Sequence, residues 1–162
     1  MFHFEKEDMR GIMRLTTKSR YGTRLLLDLA INVREKYVPL SDIAKRQSIS
    51  LKYLEQLTGK LKRDGFIISR RGPFGGHKLA YGPEKMTIGD VVRSLEEKTA
   101  LTECSESKEP SCGVCNRAGA CLSRWVWVEA SNAMFDRLNE ITLESLINGQ
   151  HSPRPKAISD KK

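Results

Sequence analysis

Residues 41–81 constrain the fold more than any other part of the chain, because two helical patterns and a glycine-rich hairpin follow one another there. The two helical patterns are joined by a tight connection at residues 47–49. Ser41 and Ser50 precede them and are expected to be N-caps, since a serine hydroxyl accepts a hydrogen bond from a free backbone N–H of the first turn. A short helix, a turn and a second helix form a helix-turn-helix pattern.

The second helix of this pattern is expected to run from Ser50 to about Asp64, where Gly65 ends it. Its leucines recur at helical spacing and predict one buried side. Two residues of the first helix are likewise predicted to face inward. The predicted inward positions are Ile43, Ala44, Leu51, Leu54, Leu57 and Leu61. The other side of the second helix is polar, so it is free to contact a partner.

The hairpin that follows consists of two predicted strands, residues 66–69 and 77–81, around the sequence RRGPFGG. Its three glycines and one proline suit a tight turn between antiparallel strands. A helix-turn-helix with a basic hairpin behind it is a winged helix, whose wing can lie along phosphates or reach into the minor groove. The residues that flank the turn with charge are Arg70, Arg71, His77 and Lys78.

The other apolar patterns are also helical, so the predicted fold class is mainly α. They lie at residues 17–34, from residue 87 onward, at 121–139 and at 143–147. The helix at 121–139 carries more apolar area than a terminal helix of a small monomer needs, which predicts a partner helix as its cover. The expected architecture is a winged helix-turn-helix with a two-stranded wing plus a long C-terminal dimerisation helix.

Positive charge is confined to the first half of the chain. Residues 13–85 hold 16 Lys and Arg and 6 Asp and Glu, a net charge of +10, whereas residues 86–148 have a net charge of −4. A basic module followed by a mildly acidic one indicates that the first binds a polyanion. The predicted organisation is a disordered extension (1–12), a DNA-binding domain (13–85), a cysteine loop with dimerisation helices (86–148) and a disordered basic tail (149–162).

Several functional classes find no support in the sequence. No run of about 18 or more apolar residues occurs, so no membrane span is predicted. The first 13 residues lack the pattern of a secretory signal, which makes the cytoplasm the expected location. There is no glycine-rich dinucleotide loop and no Ser-His-Asp or Cys-His set, so the chain is not expected to be an enzyme.

The polar side of the second helix offers side chains suited to DNA. Glutamine can pair bidentately with adenine and glutamate can accept from the cytosine amino group, so Glu55 and Gln56, with Tyr53, are candidates for base edges in the major groove. Ser50, at the helix start, is counted with the DNA-contacting residues. Lysines of this helix are better suited to phosphates. They are Lys52, Lys60 and Lys62.

All four cysteines lie within 18 residues of the acidic half. They are Cys104, Cys112, Cys115 and Cys121. Without a secretory signal, metal or redox chemistry is favoured over disulfides. Thiolates suit iron-sulfur clusters and zinc, and the spacing does not decide between them. A bound metal centre also accounts for a long loop that has no apolar periodicity.

Four separated segments, taken in order, resemble the IscR- and NsrR-type winged-helix transcription regulators of the Rrf-two family. They are MRLTTKSRYGTRLLLDLA, PLSDIAKRQSISLKYLEQLTGKLKRDGFI, the wing RRGPFGGHKL and CLSRWVWVEASNAMFDRLNEITLESLI, which together span residues 13–148. The resemblance implies a cytoplasmic homodimer that binds a roughly palindromic operator in double-stranded DNA, with its long C-terminal helix crossing that of the second copy. It implies that the helix with ISLKYLEQL reads the major groove and that the wing enters the minor groove. The residues given those roles are Tyr53, Glu55, Gln56, Arg71 and Gly72.

The resemblance further implies an iron-sulfur cluster, 2Fe-2S or 4Fe-4S, held by three cysteines of the loop. Cys104 and Cys121 match the first and last of them. Cys112 has the matching spacing from the first and Cys115 from the last, so the middle ligand stays open. The histidine that IscR-like proteins place three residues after the last cysteine is Arg124 here, which cannot ligate. We therefore hypothesise that the extra cysteine completes an all-cysteine site.

The expected function is regulation of transcription through a cluster that senses iron-sulfur status, nitric oxide or redox state. One alternative keeps the winged helix but makes the cysteines a zinc site or a thiol-disulfide sensor. A more remote alternative is an iron-sulfur redox protein. Metal analysis and the dependence of DNA binding on reductant separate these possibilities.

Overall fold

A computed structural model describes residues 15–32, 37–106 and 115–151 of the chain. Within these residues the fold is mainly helical, with a single two-stranded antiparallel sheet. The helices are α1 (Thr17–Asn32), α2 (Leu40–Gln47), α3 (Leu51–Arg63), α4 (Ile88–Leu95), α5 (Leu122–Glu140) and α6 (Leu143–Ile147), and the strands are β1 (Ile67–Arg70) and β2 (Gly76–Leu79). The predicted extension at residues 1–12 lies outside the described residues, as does the predicted tail beyond residue 151.

The core is built around α1. Leu25, Leu26 and Leu29 are fully buried, as their helical spacing predicts, and they pack with the buried leucines of α3 and α4. Gly22 lets α1 approach α4 closely, because a Cβ at this position would collide with the side chain of Leu95. The end of α4 is therefore held against α1.

A buried carboxylate fixes α2 against α1. Asp28 is 3% exposed and accepts hydrogen bonds from Arg46 Nε at 3.1 Å, Arg46 Nη2 at 2.6 Å and Gln47 Nε2 at 2.8 Å. Burial alone would raise the pKa of Asp28, but the hydrogen bonds from Arg46 and Gln47 and the charge of Arg46 outweigh it and lower the pKa below its usual value. The first helix of the helix-turn-helix thus has a fixed orientation.

The predicted N-cap of α2 is wrong. Ser41 lies in the first turn of the helix, and Pro39, in an extended conformation, occupies the N-cap position. The residue before it, Val38, exchanges two backbone hydrogen bonds with His77 of the wing, at 2.9 and 2.8 Å. This pairing keeps the chain extended up to Pro39, so the helix begins at Leu40.

The predicted cap of α3 is confirmed, whereas one of its predicted core positions is wrong. The Ser50 hydroxyl accepts a hydrogen bond from the Tyr53 N–H at 3.3 Å. Leu51 is 42% exposed, because it is the first residue of the helix and lies one turn before Leu54, the first leucine that the core covers. Thr58 takes the fourth buried position and donates its hydroxyl hydrogen to the Leu54 carbonyl, as buried hydroxyls must find an acceptor.

The long C-terminal helix is present as predicted and is anchored to the core at its end. The junction between α5 and α6 bonds to the start of α4, with Ile88 N–H donating to the Ile141 carbonyl at 2.8 Å. Leu143 N–H donates to the Met86 carbonyl at 3.0 Å, and the Leu143 side chain is fully buried. The opposite end of α5 begins at Leu122, and Cys121, the last cysteine, is its N-cap residue.

Candidate functional site

The polar side of α3 is exposed, as the sequence predicts. Tyr53 and Lys60 are half-buried, and their contacts explain why. The Tyr53 hydroxyl lies 3.0 Å from Thr17 Oγ1, and its ring meets the Tyr21 ring edge-on with centroids 5.9 Å apart. Lys60 Nζ donates to the Leu95 carbonyl at 3.4 Å. The exposed residues on this side include Ser50, Lys52, Glu55 and Gln56, and the half-buried Tyr53 and Lys60 remain partly accessible.

Helix α1 adds positive charge beside α3, and its two arginines were not among the predicted site residues. The guanidinium groups of Arg20 and Arg24 lie 5.5 and 5.4 Å from the ring centroid of Tyr21, the residue that contacts Tyr53. Both arginines are exposed. The sequence feature that could have identified them is their position on the polar side of the helical pattern in α1.

A cavity of about 290 Å³ lies between α3, the start of α1 and the residues that follow α4. Its lining includes Lys18, Lys60 and Arg63, together with Glu97. Lys18 Nζ forms an ion pair with Glu97 at 3.2 Å. The side of the cavity that α3 forms is therefore basic, because Lys60 and Arg63 belong to α3.

The wing ends in a tight turn that projects an apolar side chain. The Gly75 N–H donates to the Gly72 carbonyl at 2.9 Å, which leaves Pro73 and Phe74 at the two corners of the turn. Arg71 and Gly72 are exposed, as the sequence predicts for wing residues that contact DNA. Phe74 is 87% exposed, and it was not among the predicted site residues although a large apolar residue in a glycine-rich basic loop was a visible signal.

The predicted role of His77 as a charged flank of the wing needs correction. Burial lowers its pKa, and the nearby charge of Lys62 lowers it further, so both effects disfavour a charged ring. His77 Nδ1 is buried and has no hydrogen-bond partner among the residues that the structure describes. The contribution of this residue is its backbone pairing with Val38, which attaches the wing to the segment before α2.

Three of the four predicted cysteine ligands are described, and Cys112 lies outside the described residues. Cys104 lies in a short 3-10 turn, with its Sγ 3.3 Å from Thr102 Oγ1. Cys115 is exposed, and Cys121 is the N-cap residue of α5. None of these three cysteines is in a disulfide.

Hydrogen bonds lower the pKa of the Cys121 thiol. Its Sγ lies 3.2 Å from Ser123 Oγ. The hydrogen bond from Ser123 and that from the Arg124 backbone N–H lower the pKa of Cys121 below the usual thiol value. The thiolate is both the nucleophilic and the metal-binding form of cysteine.

Arg124 connects the two ends of the cysteine loop. This residue is 1% exposed, and its Nε donates to the Cys104 carbonyl at 2.6 Å. Its Nη1 donates to the Ala118 carbonyl at 3.4 Å, and its backbone N–H donates to the Cys121 carbonyl at 3.2 Å. A guanidinium cannot ligate a metal, so this position has a structural role here. The sequence showed only that Arg124 is not a ligand, because its partners lie elsewhere in the loop.

The metal site predicted from the four cysteines is not assembled within the described residues. In residues 15–32, 37–106 and 115–151, no three side chains of His, Cys, Asp or Glu are placed to hold a metal ion together. What the structure does show is that Arg124 holds Cys104 and Cys121 at the same end of α5.

A helix-turn-helix whose second helix has an exposed polar side, followed by a basic two-stranded wing, defines a winged-helix DNA-binding protein. The profile of the Rrf2 (Rrf-two) family, described as iron-dependent transcriptional regulators, matches residues 15–149. The chain therefore belongs to the Rrf2 family. It is a transcriptional regulator, not an enzyme. No helix within its described residues combines the length and the apolar character that crossing a membrane requires.

Relatives of known sequence agree with this assignment. The chain is 49% identical over 135 residues to the protein rrf2 of Nitratidesulfovibrio vulgaris, covering 83% of this chain and 87% of the relative. It is 38% identical over 138 residues to the HTH-type transcriptional regulator IscR of Pectobacterium atrosepticum, covering 85% and 81% of the two chains.

Solved structures share the fold. The global cysteine regulator CymR of B. subtilis superposes with a TM-score of 0.68 at 32% identity, over 85% of this chain and 98% of that one. IscR of T. potens gives 0.67 at 30% identity, over 85% and 88%. An oxidized form of Staphylococcus aureus CymR gives 0.64 at 31% identity, over 83% and 95%. The same fold thus occurs both in proteins named CymR and in a protein named IscR.

Proposed function

We propose that this protein is a cytoplasmic homodimer that binds a palindromic operator in double-stranded DNA, and that an iron-sulfur cluster in the loop at residues 104–121 controls this binding. The observation that carries the proposal is the exposed polar side of α3 beside a basic wing. The family description and the similarity to proteins named IscR support the iron-dependent part.

The proposed division of labour on DNA follows from side-chain chemistry and exposure. Glu55 and Gln56 are exposed near the N-terminal end of α3, which in a helix-turn-helix contacts base edges. Tyr53 sits beside them, anchored to α1 by its hydroxyl. Residues that contact phosphates or the minor groove complete the surface. They are Ser50, Lys52, Lys60, Arg71 and Gly72, joined by Arg20 and Arg24 of α1.

The proposed dimer uses the first half of α5. Four large apolar residues within six positions are exposed there, at a density that isolated surface residues do not reach. They are Leu122, Trp125, Val126 and Trp127. A second copy of the chain is the proposed cover, since a twofold dimer places two recognition helices on the two halves of a palindrome.

The cysteine loop has the donor chemistry of an iron-sulfur site. We assign Cys104 and Cys121 as the outer ligands, with Cys112 and Cys115 completing an all-cysteine set. The support is that Arg124 ties both outer cysteines to the start of α5 while offering no lone pair of its own. A bound cluster adds a charge that depends on its oxidation state and orders the residues that ligate it.

The proposed route from the loop to the DNA-binding surface passes through residues 95–97, which are the last residue of α4 and the two residues after it. The Glu96 carboxylate accepts hydrogen bonds from the backbone N–H groups of Thr16 and Ser19, at 3.0 and 3.3 Å, and so caps the start of α1. The carbonyl of the first residue in this segment accepts from Lys60 of α3. A change in the order of the loop thereby acts on the elements that position α3, and so biases the chain between two DNA-binding states.

A thiol-based sensor is the second candidate. The exposure of Cys115 and the lowered pKa of Cys121 are features of reactive thiols. A similar structure is that of an oxidized CymR. In this case operator binding responds to oxidant and reductant without iron.

The test is anaerobic purification followed by a visible spectrum and by counts of iron and acid-labile sulfide per chain. Iron and sulfide that occur together, and are lost in Cys104→Ser and Cys121→Ser but kept in the control Ser107→Ala, support the cluster. Full retention in either Cys112→Ser or Cys115→Ser contradicts the all-cysteine site. Colourless protein that holds zinc or no metal refutes the cluster, and reversible dependence of operator binding on reductant then favours the thiol sensor.

A further inference from the structure

We propose that Phe74, at the tip of the wing, is an apolar wedge that enters the minor groove and bends the operator. This inference rests on the proposed operator binding and adds a residue and a mechanism to it. Phe74 is the most exposed of the large apolar residues that the structure describes, at 87%. A phenylalanine in this position gains contact area only when a partner covers it.

The turn geometry presents Phe74 at the extreme end of the hairpin. The last strand pair is Arg70 with Gly76, and the Gly72 to Gly75 hydrogen bond closes the turn immediately beyond it. Pro73 occupies the first corner, where its fixed φ suits the turn, and Phe74 occupies the second. The ring therefore projects ahead of the strands.

The base of the wing is held in place, so its tip has a defined position. The two backbone hydrogen bonds between Val38 and His77 join the wing to the segment before α2. Gly76 permits this contact, because its φ of +148° suits glycine and a Cβ there would collide with the Val38 carbonyl. A wedge that is already positioned loses little conformational entropy on binding.

The charge around Phe74 favours DNA as the partner. Residues 65–83 contain no Asp or Glu. Arg70 and Arg71 are exposed at the root of the turn, where they are able to contact the phosphates on either side of a groove. Cationic flanks with an apolar tip are the combination that architectural proteins use to unstack a base step from the minor groove. The wing also adjoins α3, since the Phe66 N–H, just before β1, donates to the Leu61 carbonyl of α3 at 2.9 Å.

The experiment compares wild type with Phe74→Ala and Phe74→Leu on a duplex that the wild-type protein selects from a random-sequence pool. Energy transfer between dyes at the two duplex ends reports bending at saturating protein, and titration reports affinity. We expect wild type and Phe74→Leu to bend the duplex, and Phe74→Ala to leave it straight and bind roughly tenfold more weakly. Thermal unfolding should be the same for all three proteins, because the side chain is exposed.

Two results would overturn the wedge. One is a Phe74→Ala protein that bends and binds the duplex like wild type. The other is weaker binding by Phe74→Ala with an unchanged bend, which makes Phe74 a surface contact. In the first case, loss of binding to vesicles that contain anionic lipid would assign Phe74 to a lipid surface instead. If the wild-type protein selects no duplex over competitor DNA, operator binding itself is refuted.

Discussion

The winged-helix half of the chain, residues 13–85, differs from the C-terminal half, residues 86–148. The difference is how far contacts within a single copy bury the apolar side chains and provide partners for the polar ones. In the first, the buried Asp28 carboxylate is fully bonded and the leucines of α1 and α3 form a closed core. In the second, α5 exposes a cluster of large apolar residues, and the described cysteines do not converge. The two halves also have opposite net charge.

This difference indicates that the two halves have different requirements. The surface proposed to read DNA is preorganised by contacts within one chain. In the proposed function, the C-terminal half is completed by a second copy and by the group that the cysteines bind. Changes in the C-terminal half should therefore alter assembly and control while the winged helix stays folded.

The largest effect is expected for Val126→Glu. Val126 is 61% exposed in the apolar cluster of α5, so a charge there opposes its burial against a second copy. We expect a monomer by light scattering. Loss of the second half-site contact should weaken binding to a palindromic operator about a hundredfold or more.

The matched control for this prediction is Ile31→Glu. Ile31 lies in α1 of the winged-helix half and is 62% exposed, and among the described residues it is part of neither the core nor the apolar cluster of α5. It should leave mass and operator affinity unchanged. A dimeric Val126→Glu protein, or equal effects of the two variants, would remove the distinction between the halves.

Arg124→Gln should destabilise the C-terminal half by about 2–3 kcal/mol, because the carbonyls of Cys104 and Ala118 lose a buried charged donor. Hydrogen exchange should rise in residues 101–124 and stay unchanged in α1 to α3. Arg124→Lys should fail to restore protection fully, since a lysine ammonium lacks the planar geometry to serve both carbonyls. Uniform exchange over the whole chain would show that the two halves unfold as one unit.

Within the DNA-reading surface, Gln56→Ala and Lys52→Gln should have different signatures. Gln56→Ala should cost about 1–3 kcal/mol of operator affinity and relax the preference at one base pair. Lys52→Gln should weaken all sequences alike and reduce the slope of log affinity against log salt by about 1. Titrations at several salt concentrations separate the two outcomes. Identical salt slopes for both variants and wild type would show that Lys52 contacts no phosphate.

A smaller effect, dependent on pH, is expected for Asp28→Asn. The folded-state pKa of Asp28 is lowered, so its carboxylate stabilises the fold above the unfolded pKa, and this contribution is lost as the pH falls through the folded value. Urea unfolding at pH 7 should show a loss of about 1–2 kcal/mol relative to wild type. The difference should shrink below a pH of about 4. A difference independent of pH would mean that the charge of Asp28 contributes nothing.

The sequence was sufficient where structure depends on local spacing and insufficient where it depends on contacts between distant residues. The leucine spacing in α1 and the serine at position 50 predicted a buried face and a cap that are both observed. The cap at Ser41 failed because wing residue His77 pairs with Val38 and fixes the helix start.

The candidate site shows the same limit. Exposure of Glu55 and Gln56 followed from the helical pattern alone. The role of Arg124 depends on a carbonyl 20 residues away and is invisible to periodicity. Phe74 was visible in the sequence, but its significance depends on the turn that exposes it.

The central claim is that the C-terminal half controls the winged-helix half through the group that its cysteines bind. The most direct test is operator affinity measured anaerobically for protein that retains its iron and for the same preparation after iron removal, at one salt concentration. The account predicts a change of at least about fivefold in either direction, the lower range of typical coupling between sites. Equal affinities, with dimer and fold intact in both samples, would contradict it.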